Sequence, residues 1–119
     1  MTKRILIIDD ESNFCDVLKD LLEDEGYTVD APLQLASAIG IALLGNHDLI
    51  ILDLRMPGID GFEIARLFKQ QKLITPILIV SGYITGNMPA ELDKLGIQHM
   101  LSKPSGVSQL RHAVASAIA

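Results

Sequence analysis

Hydrophobic residues along the chain form short continuous runs that alternate with segments of helical spacing. Three runs, at residues 5–8, 49–52 and 77–80, contain no polar positions and are bounded by polar or turn residues. Runs of this length and uniformity are typical of parallel strands that are buried on both faces. Two weaker runs, at residues 27–30 and 98–101, predict additional strands.

The segments between the runs place apolar residues at positions i, i+3, i+4, i+7 and i+8, as in a helix with one buried face. The inward residues predicted for the first helix are Phe14, Val17, Leu18, Leu21 and Leu22. Those predicted for the second are Leu35, Ala38, Ile39, Ala42 and Leu43. A third helix is predicted over residues 61–71, with Ile64, Ala65, Leu67 and Phe68 inward. Further helices are predicted over 88–95 and 105–118.

This alternation predicts a βαβαβαβαβα chain, which right-handed crossovers fold into a doubly wound parallel sheet with helices on both faces. With 119 residues the chain is expected to form a single α/β domain over residues 1–119. Because 49% of the residues are hydrophobic but only 4% are aromatic, the core must be mainly aliphatic.

Charge and cysteine content exclude several classes of function. The net charge of -5 opposes binding to the phosphates of nucleic acids, so direct DNA binding is not expected. The first apolar run is too short to cross a membrane and ends in acidic residues, so neither a signal peptide nor a membrane anchor is predicted. The single cysteine, Cys15, excludes an internal disulfide, which favours the cytoplasm, and we interpret it as a packing residue.

Polar residues follow the predicted strands at their carboxyl ends, where open parallel sheets form their binding crevice. Asp9 and Asp10 follow the first run, Asp53 the second and Ser81 the third, and Lys103 follows the last weak strand. We therefore expect these five side chains to converge on one crevice.

Three neighbouring carboxylates repel one another, so the cluster persists only if a cation or protons neutralise it. Mg²⁺ suits this role because it prefers oxygen ligands and takes one or two carboxylates with waters and phosphate oxygens. Asp53 can then act as a nucleophile that forms an acyl phosphate. Mg²⁺, Lys103 and Ser81 would together meet the charge of the transferred phosphoryl group.

Four motifs occur in order at the predicted strand ends. They are IIDDE at 7–11, DLIILDLRMPGIDG at 48–61, IVSG at 79–82 and KP at 103–104. Through these motifs the chain resembles bacterial response-regulator receiver domains over essentially its whole length. The resemblance implies a flavodoxin-like fold with strand order 2-1-3-4-5.

The resemblance also implies a role for each site residue. Asp53 would accept a phosphoryl group from the phosphohistidine of a sensor histidine kinase or a phosphotransfer protein. Asp10, Asp9 partly through water, Asp53 and the backbone carbonyl of Arg55 would hold Mg²⁺. Ser81 would turn toward the phosphoryl group and Lys103 would pair with it. In the family the peptide bond before the residue matching Pro104 is cis.

Phosphorylation would change the surface formed by residues 82–87, the fourth helix, the last strand and the last helix, which would meet a partner. The chain is thus expected to be a signalling switch rather than an enzyme. Its output domain or target protein is unknown, and a homodimer through the last two helices is possible. A stand-alone relay and the receiver of a longer regulator both stay open.

Two positions depart from the family pattern. Met100 replaces the usual aromatic residue three positions before the lysine, which leaves the acceptor chemistry intact; methionine can fill the same space but cannot offer a phenolic OH to a partner, so the usual readout is an open question. Ser105 replaces the common aromatic after KP and is expected to cap the last helix. Arg55 and Tyr83, each two positions after a site residue, are expected to border the phosphoryl group and to set its lifetime.

Each site residue also has a purely structural interpretation. Asp9 and Asp10 could cap the first helix, Asp53 and Ser81 could be loop residues, and Lys103 could be a solvated surface lysine. The three histidines, at 47, 99 and 112, are expected at surface or boundary positions. The glycines at 58, 61, 82 and 86 are expected to give the loops conformational freedom.

Three rival functions are compatible with the same topology. A receiver-like scaffold could bind its partner without phosphorylation, an idea motivated by Met100. A flavodoxin-like carrier would hold a flavin. A phosphatase with an aspartate nucleophile normally has a second aspartate two residues later, where this chain has Arg55.

Overall fold

The computed structural model describes residues 2–82, 84–103 and 106–119. Its main sheet has five parallel strands, which are β1 (Arg4–Ile8), β2 (Thr28–Asp30), β3 (Leu49–Leu52), β6 (Ile77–Ser81) and β7 (His99–Ser102). They lie in the order β2-β1-β3-β6-β7. When only the strands of this sheet are numbered, their order is 2-1-3-4-5, which confirms the predicted fold.

Five helices connect the strands. They are α1 (Ser12–Asp24), α2 (Leu35–Leu43), α3 (Gly61–Gln70), α4 (Met88–Lys94) and α5 (Val107–Ile118). The N-cap of α5 is Gly106, whose N–H donates to Oε1 of Gln109 at 3.2 Å. The cap expected at Ser105, the cis bond expected before Pro104 and the role expected for Tyr83 lie outside the described residues.

The core has two layers, one on each face of the sheet, because successive side chains of a strand point to opposite faces. Leu6 and Ile8 pack with residues of α2, α3 and α4, whereas Ile5 and Ile7 pack with residues of α1 and α5. All four are essentially inaccessible to solvent. Burial on both faces explains why these strands show no polar alternation in the sequence.

The inward face of α1 differs from the prediction at two positions. Val17 is 68% exposed, so its predicted inward position was wrong, while Cys15, Leu18 and Leu22 are buried. The contact stripe is centred on these three residues because α1 packs against both the sheet and α5. Cys15 is thus a packing residue, and burial raises the pKa of its thiol to about 11.

A short antiparallel hairpin that the sequence did not predict follows the second residue after β3. It pairs β4 (Arg55–Met56) with β5 (Ile59–Asp60). Gly58 takes a φ of +72° in the connecting turn, a conformation that favours glycine. The hairpin joins the carboxyl end of β3 to the amino end of α3, and it therefore borders the crevice.

The histidines were expected at surface or boundary positions, and for His47 this expectation was wrong. It is 7% exposed, and its Nε2 lies 2.8 Å from Oδ2 of Asp30. Arg4 donates to the same oxygen at 2.9 Å. The hydrogen bond from His47 and the contacts of Arg4 hold the pKa of Asp30 below its usual value, against the effect of its partial burial.

A membrane-spanning segment would need a long, uniformly apolar helix, and none of the helices in the described part of the chain qualifies.

Candidate functional site

Three carboxylates converge at the carboxyl ends of β1 and β3. Asp9 and Asp10 follow β1 directly, and Asp53 follows β3. These strands are neighbours in the sheet, and the N–H of Asp53 donates to the carbonyl of Ile8 at 3.0 Å. One carboxylate oxygen from each aspartate lies within 4.8 Å of one from each of the others. The structure therefore brings the predicted acidic residues together.

Lys103 reaches this cluster from the end of β7. Its Nζ lies 2.7 Å from Oδ2 of Asp9 and 3.5 Å from Oδ2 of Asp53. It also lies 2.9 Å from Oε1 of Glu11 and 4.1 Å from the ring centroid of Phe14. The side chain is only 13% exposed, so the interpretation as a solvated surface lysine was wrong.

The electrostatics of the site follow from this arrangement. Burial raises the pKa of Asp9, although the hydrogen bond from Lys103 opposes this effect. Burial disfavours the charge of Lys103 too, but hydrogen bonds to Asp9 and Glu11 outweigh it and raise the pKa of the ammonium. Lys103 is accordingly positively charged and is surrounded by acidic side chains.

Ser81 and Arg55 lie next to the cluster on the adjoining elements. Ser81 is the last residue of β6 and is fully buried, and its carbonyl accepts the N–H of Lys103 at 2.9 Å. The N–H of Arg55, in β4, donates to Oδ1 of Asp53 at 3.2 Å. Asp53 is itself 4% exposed. The Asp53 side chain is thus buried at the end of β3, with contacts to the Arg55 N–H and to Nζ of Lys103.

The capping interpretation of Asp9 holds in part. Its Oδ1 accepts the N–H of Glu11 at 3.0 Å, and Glu11 is the N-cap residue of α1. Its other oxygen is bonded to Lys103. One carboxylate therefore orders the start of the helix and contributes to the cluster at the same time.

Gly61 is a structural residue of the site that the sequence interpretation missed. A Cβ atom at this position would lie 2.5 Å from the carbonyl oxygen of Asp53 and 2.5 Å from Cα of Leu54. Its N–H donates to the carbonyl of Leu54 at 2.9 Å. Gly61 is thus required for close packing of α3 against the Asp53 backbone, and not for loop freedom. Its place at the start of a predicted helix was the available signal.

The donor set fits a hard divalent cation such as Mg²⁺. Three carboxylate oxygens from Asp9, Asp10 and Asp53 lie close enough to share one ion, and Asp10 is exposed to solvent that could complete the coordination. The structure describes no cysteine or histidine among these donors, which favours oxygen-preferring ions over softer metals.

Met100 lies on β7 opposite Ile79 of β6 in the strand register. Its side chain is half-buried and packs against the core layer formed with α2, α3 and α4. The position of the usual aromatic residue is thus filled by a flexible apolar side chain.

Comparisons with known proteins agree with this geometry. The family model of the response regulator receiver domain matches residues 5–115. The transcriptional regulatory protein TcrA of Mycobacterium tuberculosis is 35% identical over 109 residues, which cover 90% of this chain. The match covers 42% of TcrA, so the chain spans less than half the length of that relative. Sporulation initiation phosphotransferase F of Bacillus subtilis is 30% identical over 114 residues, covering 96% of this chain and 92% of that protein.

Solved structures show the same fold. The receiver domain of HemR from Leptospira biflexa superposes with a TM-score of 0.91 at 24% identity, over 99% of this chain and 95% of that one. The chemotaxis protein CheY4 of Vibrio cholerae gives a TM-score of 0.87 at 25% identity, over 98% and 99% of the two chains. The matched family model, the relatives and the clustered acids lead to one conclusion: the chain belongs to the response regulator receiver domains of two-component signalling.

Proposed function

We propose that Asp53 accepts a phosphoryl group from a phosphohistidine and that this modification is the signal the domain carries. The observation that carries the proposal is the position of the Asp53 carboxylate. It lies within 4.8 Å of carboxylate oxygens of Asp9 and Asp10 and 3.5 Å from the Lys103 ammonium. A nucleophilic carboxylate needs this combination of a cation site and a preorganised positive charge.

In the proposed reaction an Asp53 oxygen forms a bond to phosphorus while the bond from phosphorus to the donor imidazole nitrogen breaks. The second ring nitrogen of the donor is protonated when the phosphorus–nitrogen bond breaks, so the imidazole takes the bonding electron pair and leaves as a neutral ring with one N–H. Lys103 and the Ser81 hydroxyl donate hydrogen bonds to the phosphoryl oxygens. Bound Mg²⁺, held by Asp9, Asp10, Asp53 and the Arg55 carbonyl, would supply further positive charge to those oxygens.

The donor and the receiver of the signal follow from this role. We place the chain in the cytoplasm, with a sensor histidine kinase or a phosphotransfer protein as donor. Phosphorylation would shift the surface of α4, β7 and α5 toward a conformation that binds an output domain or target protein, or a second copy of the chain. The activity on Asp53 is a self-modification, so the chain is a signalling protein that acts on no separate substrate.

Phosphoramidate provides a direct test because its phosphoryl group is bonded to nitrogen, as in phosphohistidine. The protein is incubated with phosphoramidate and Mg²⁺ and its intact mass is recorded. We expect a gain of one phosphoryl group that is lost in Asp53→Asn and in EDTA. Asp20→Asn, an exposed position on α1, is the matched control and should gain the group normally. A gain that persists in Asp53→Asn would contradict the proposal.

One observation favours a second candidate, a scaffold that binds its partner without phosphorylation. Met100 fills the usual aromatic position and already packs against the core layer. The two candidates differ in one measurement, the affinity for the partner before and after phosphorylation. An affinity unchanged by phosphorylation and by Asp53→Asn would support the scaffold.

A further inference from the structure

The ammonium of Lys103 is held by two groups that take no part in the proposed reaction. Oε1 of Glu11 accepts a hydrogen bond from Nζ at 2.9 Å, and the ring of Phe14 lies beneath Nζ with its centroid at 4.1 Å. Glu11 is the N-cap residue of α1, and Phe14 lies in the first turn of that helix. The start of α1 therefore forms one wall of the lysine site.

The distances show which carboxylates hold the lysine in this state. Nζ is closer to Glu11, at 2.9 Å, than to Asp53, at 3.5 Å. An ammonium has three N–H donors, and Asp9, Glu11 and Asp53 lie within reach of them. A phosphoryl group on Asp53 inherits the N–H that faces Asp53, and a second hydrogen bond from Nζ to the phosphoryl oxygens requires that Asp9 or Glu11 gives up its own.

Exposure identifies the hydrogen bond that is lost at the lowest cost. The Glu11 side chain is 62% exposed, whereas those of Asp9 and Asp53 are 2% and 5% exposed. Water can replace Lys103 as a partner of Glu11, but a buried carboxylate left without its partner costs free energy. The ring of Phe14 attracts the cation whichever oxygen it is bonded to.

We propose that Glu11 is a positioning residue that holds Lys103 in a resting position and releases it to the phosphoryl group, while Phe14 keeps the ammonium in the crevice during the exchange. The inference rests on the proposed phosphorylation of Asp53. The exchange makes and breaks hydrogen bonds only. Glu11 also adds a negative charge that opposes the approach of an anionic donor.

The first test compares phosphorylation rates with phosphoramidate at saturating Mg²⁺. We expect Glu11→Gln to accelerate the reaction about threefold, the size expected for loss of one exposed ion pair. Because Glu11 makes no side-chain cap hydrogen bond, the substitution removes no helix cap. Glu23→Gln removes the same charge from an exposed position on α1 and should leave the rate unchanged.

Donor concentration separates release of the lysine from simple charge repulsion. Repulsion of the anionic donor lowers its apparent affinity and has no effect once the donor is saturating. Release of Lys103 acts on the maximal rate, so the acceleration should remain at saturating donor. An acceleration that disappears at saturating donor would overturn the role of Glu11.

The second test locates Lys103 without any phosphorylation. The ring of Phe14 should shield the Cε protons of Lys103 in NMR spectra, with the signal assigned by its loss in Lys103→Arg. Phe14→Leu should remove the shielding and slow phosphorylation about threefold. Phe14→Tyr keeps an aromatic ring and should retain the shielding and the wild-type rate. Unchanged shielding in Phe14→Leu would overturn the role of Phe14.

Different results would overturn the phosphorylation of Asp53 and the exchange of Lys103 between Glu11 and the phosphoryl group. A wild-type protein that takes up no phosphoryl group at Asp53 overturns the proposed function, and with it the exchange. A wild-type protein that is phosphorylated normally, with Glu11→Gln at the same maximal rate, overturns the exchange alone.

Discussion

The Nζ atom of Lys103 lies 2.7 Å from Oδ2 of Asp9, although the two residues are 94 positions apart in the chain. This ion pair joins the loop after β1 to the end of β7. The Asp9 side chain is 2% exposed, so the lysine supplies the compensation that solvent does not. It also places a fixed positive charge beside the proposed cation site.

Replacement of Lys103 should therefore have opposite effects on metal binding and on phosphorylation. Lys103→Met removes a repulsive charge from the cation site, so we expect Mg²⁺ to bind about tenfold more tightly. It also removes a donor to the phosphoryl group, so phosphorylation should slow by about 100-fold. Calorimetric Mg²⁺ titration and intact-mass kinetics measure the two effects. Lys94→Met, on α4, is the control, and a parallel fall of both quantities would indicate misfolding instead.

Two glycines should respond to alanine with opposite changes in stability. Gly61→Ala places a Cβ 2.5 Å from backbone atoms of Asp53 and Leu54, so we expect the free energy of unfolding to fall by about 2 kcal/mol or more. Gly40 lies within α2 with open space around the Cβ position, so Gly40→Ala should raise it by about 0.5–1 kcal/mol. Urea denaturation measures both. Equal effects at the two positions would contradict the close approach at Gly61.

The contact of Asp30 with His47 and Arg4 should make part of the stability depend on acidic pH. The pKa of Asp30 is lower in the folded protein than in the unfolded chain. The contribution of Asp30 to the free energy of unfolding is thus fully present above about pH 4. It is lost as the pH falls through the lower pKa that Asp30 has in the folded protein. Asp30→Asn keeps an oxygen for His47 but removes the charge.

We expect Asp30→Asn to reduce this part of the acid sensitivity and to cost at most about 1 kcal/mol at neutral pH, because Asp30 and Arg4 are partly exposed. Denaturant titrations from pH 3 to pH 7 would measure the free energy of unfolding of the variant and of the wild type at each pH. A variant with the same pH profile as the wild type would contradict the assignment. Asp48→Asn, which removes the charge of the carboxylate that accepts the Arg4 N–H but keeps an oxygen acceptor, serves as the comparison.

Cys15 should be inert while the protein is folded. The residue is 8% exposed and the pKa of its thiol is raised to about 11, so little thiolate exists at neutral pH. A disulfide reagent such as DTNB should react only as the protein unfolds, with a rate that increases with urea. Fast reaction in native buffer would show that α1 opens locally away from the sheet and α5.

The sequence alone was sufficient to predict the sheet and the position of the crevice. The runs at 5–8, 49–52 and 77–80 are buried on both faces, which leaves a pattern that few other elements produce. Because parallel strands end at the same edge, the polar residues after each run had to lie near one another. Asp9, Asp10 and Asp53 accordingly form a cluster.

Positions that depend on how elements pack together were predicted less well. Val17 and Cys15 are two residues apart on α1, and periodicity alone could not decide which of them is buried. His47 follows a helix in a polar segment, and only the approach of β2 buries it against Asp30. Gly61 appears as one more loop glycine until α3 is placed against the backbone of Asp53.

What the sequence by itself determined is the alternation of elements and the residue types at the strand ends, since hydrophobic periodicity depends only on residues that are close together in the sequence. What only the tertiary structure decided is which partners those residues have. Lys103 could have met any of the nearby acids, and the chain contains no local signal that brings Glu11 and Phe14 to it. Their contacts depend on the angle at which α1 leaves β1, and that angle is set by packing of α1 against the sheet and α5.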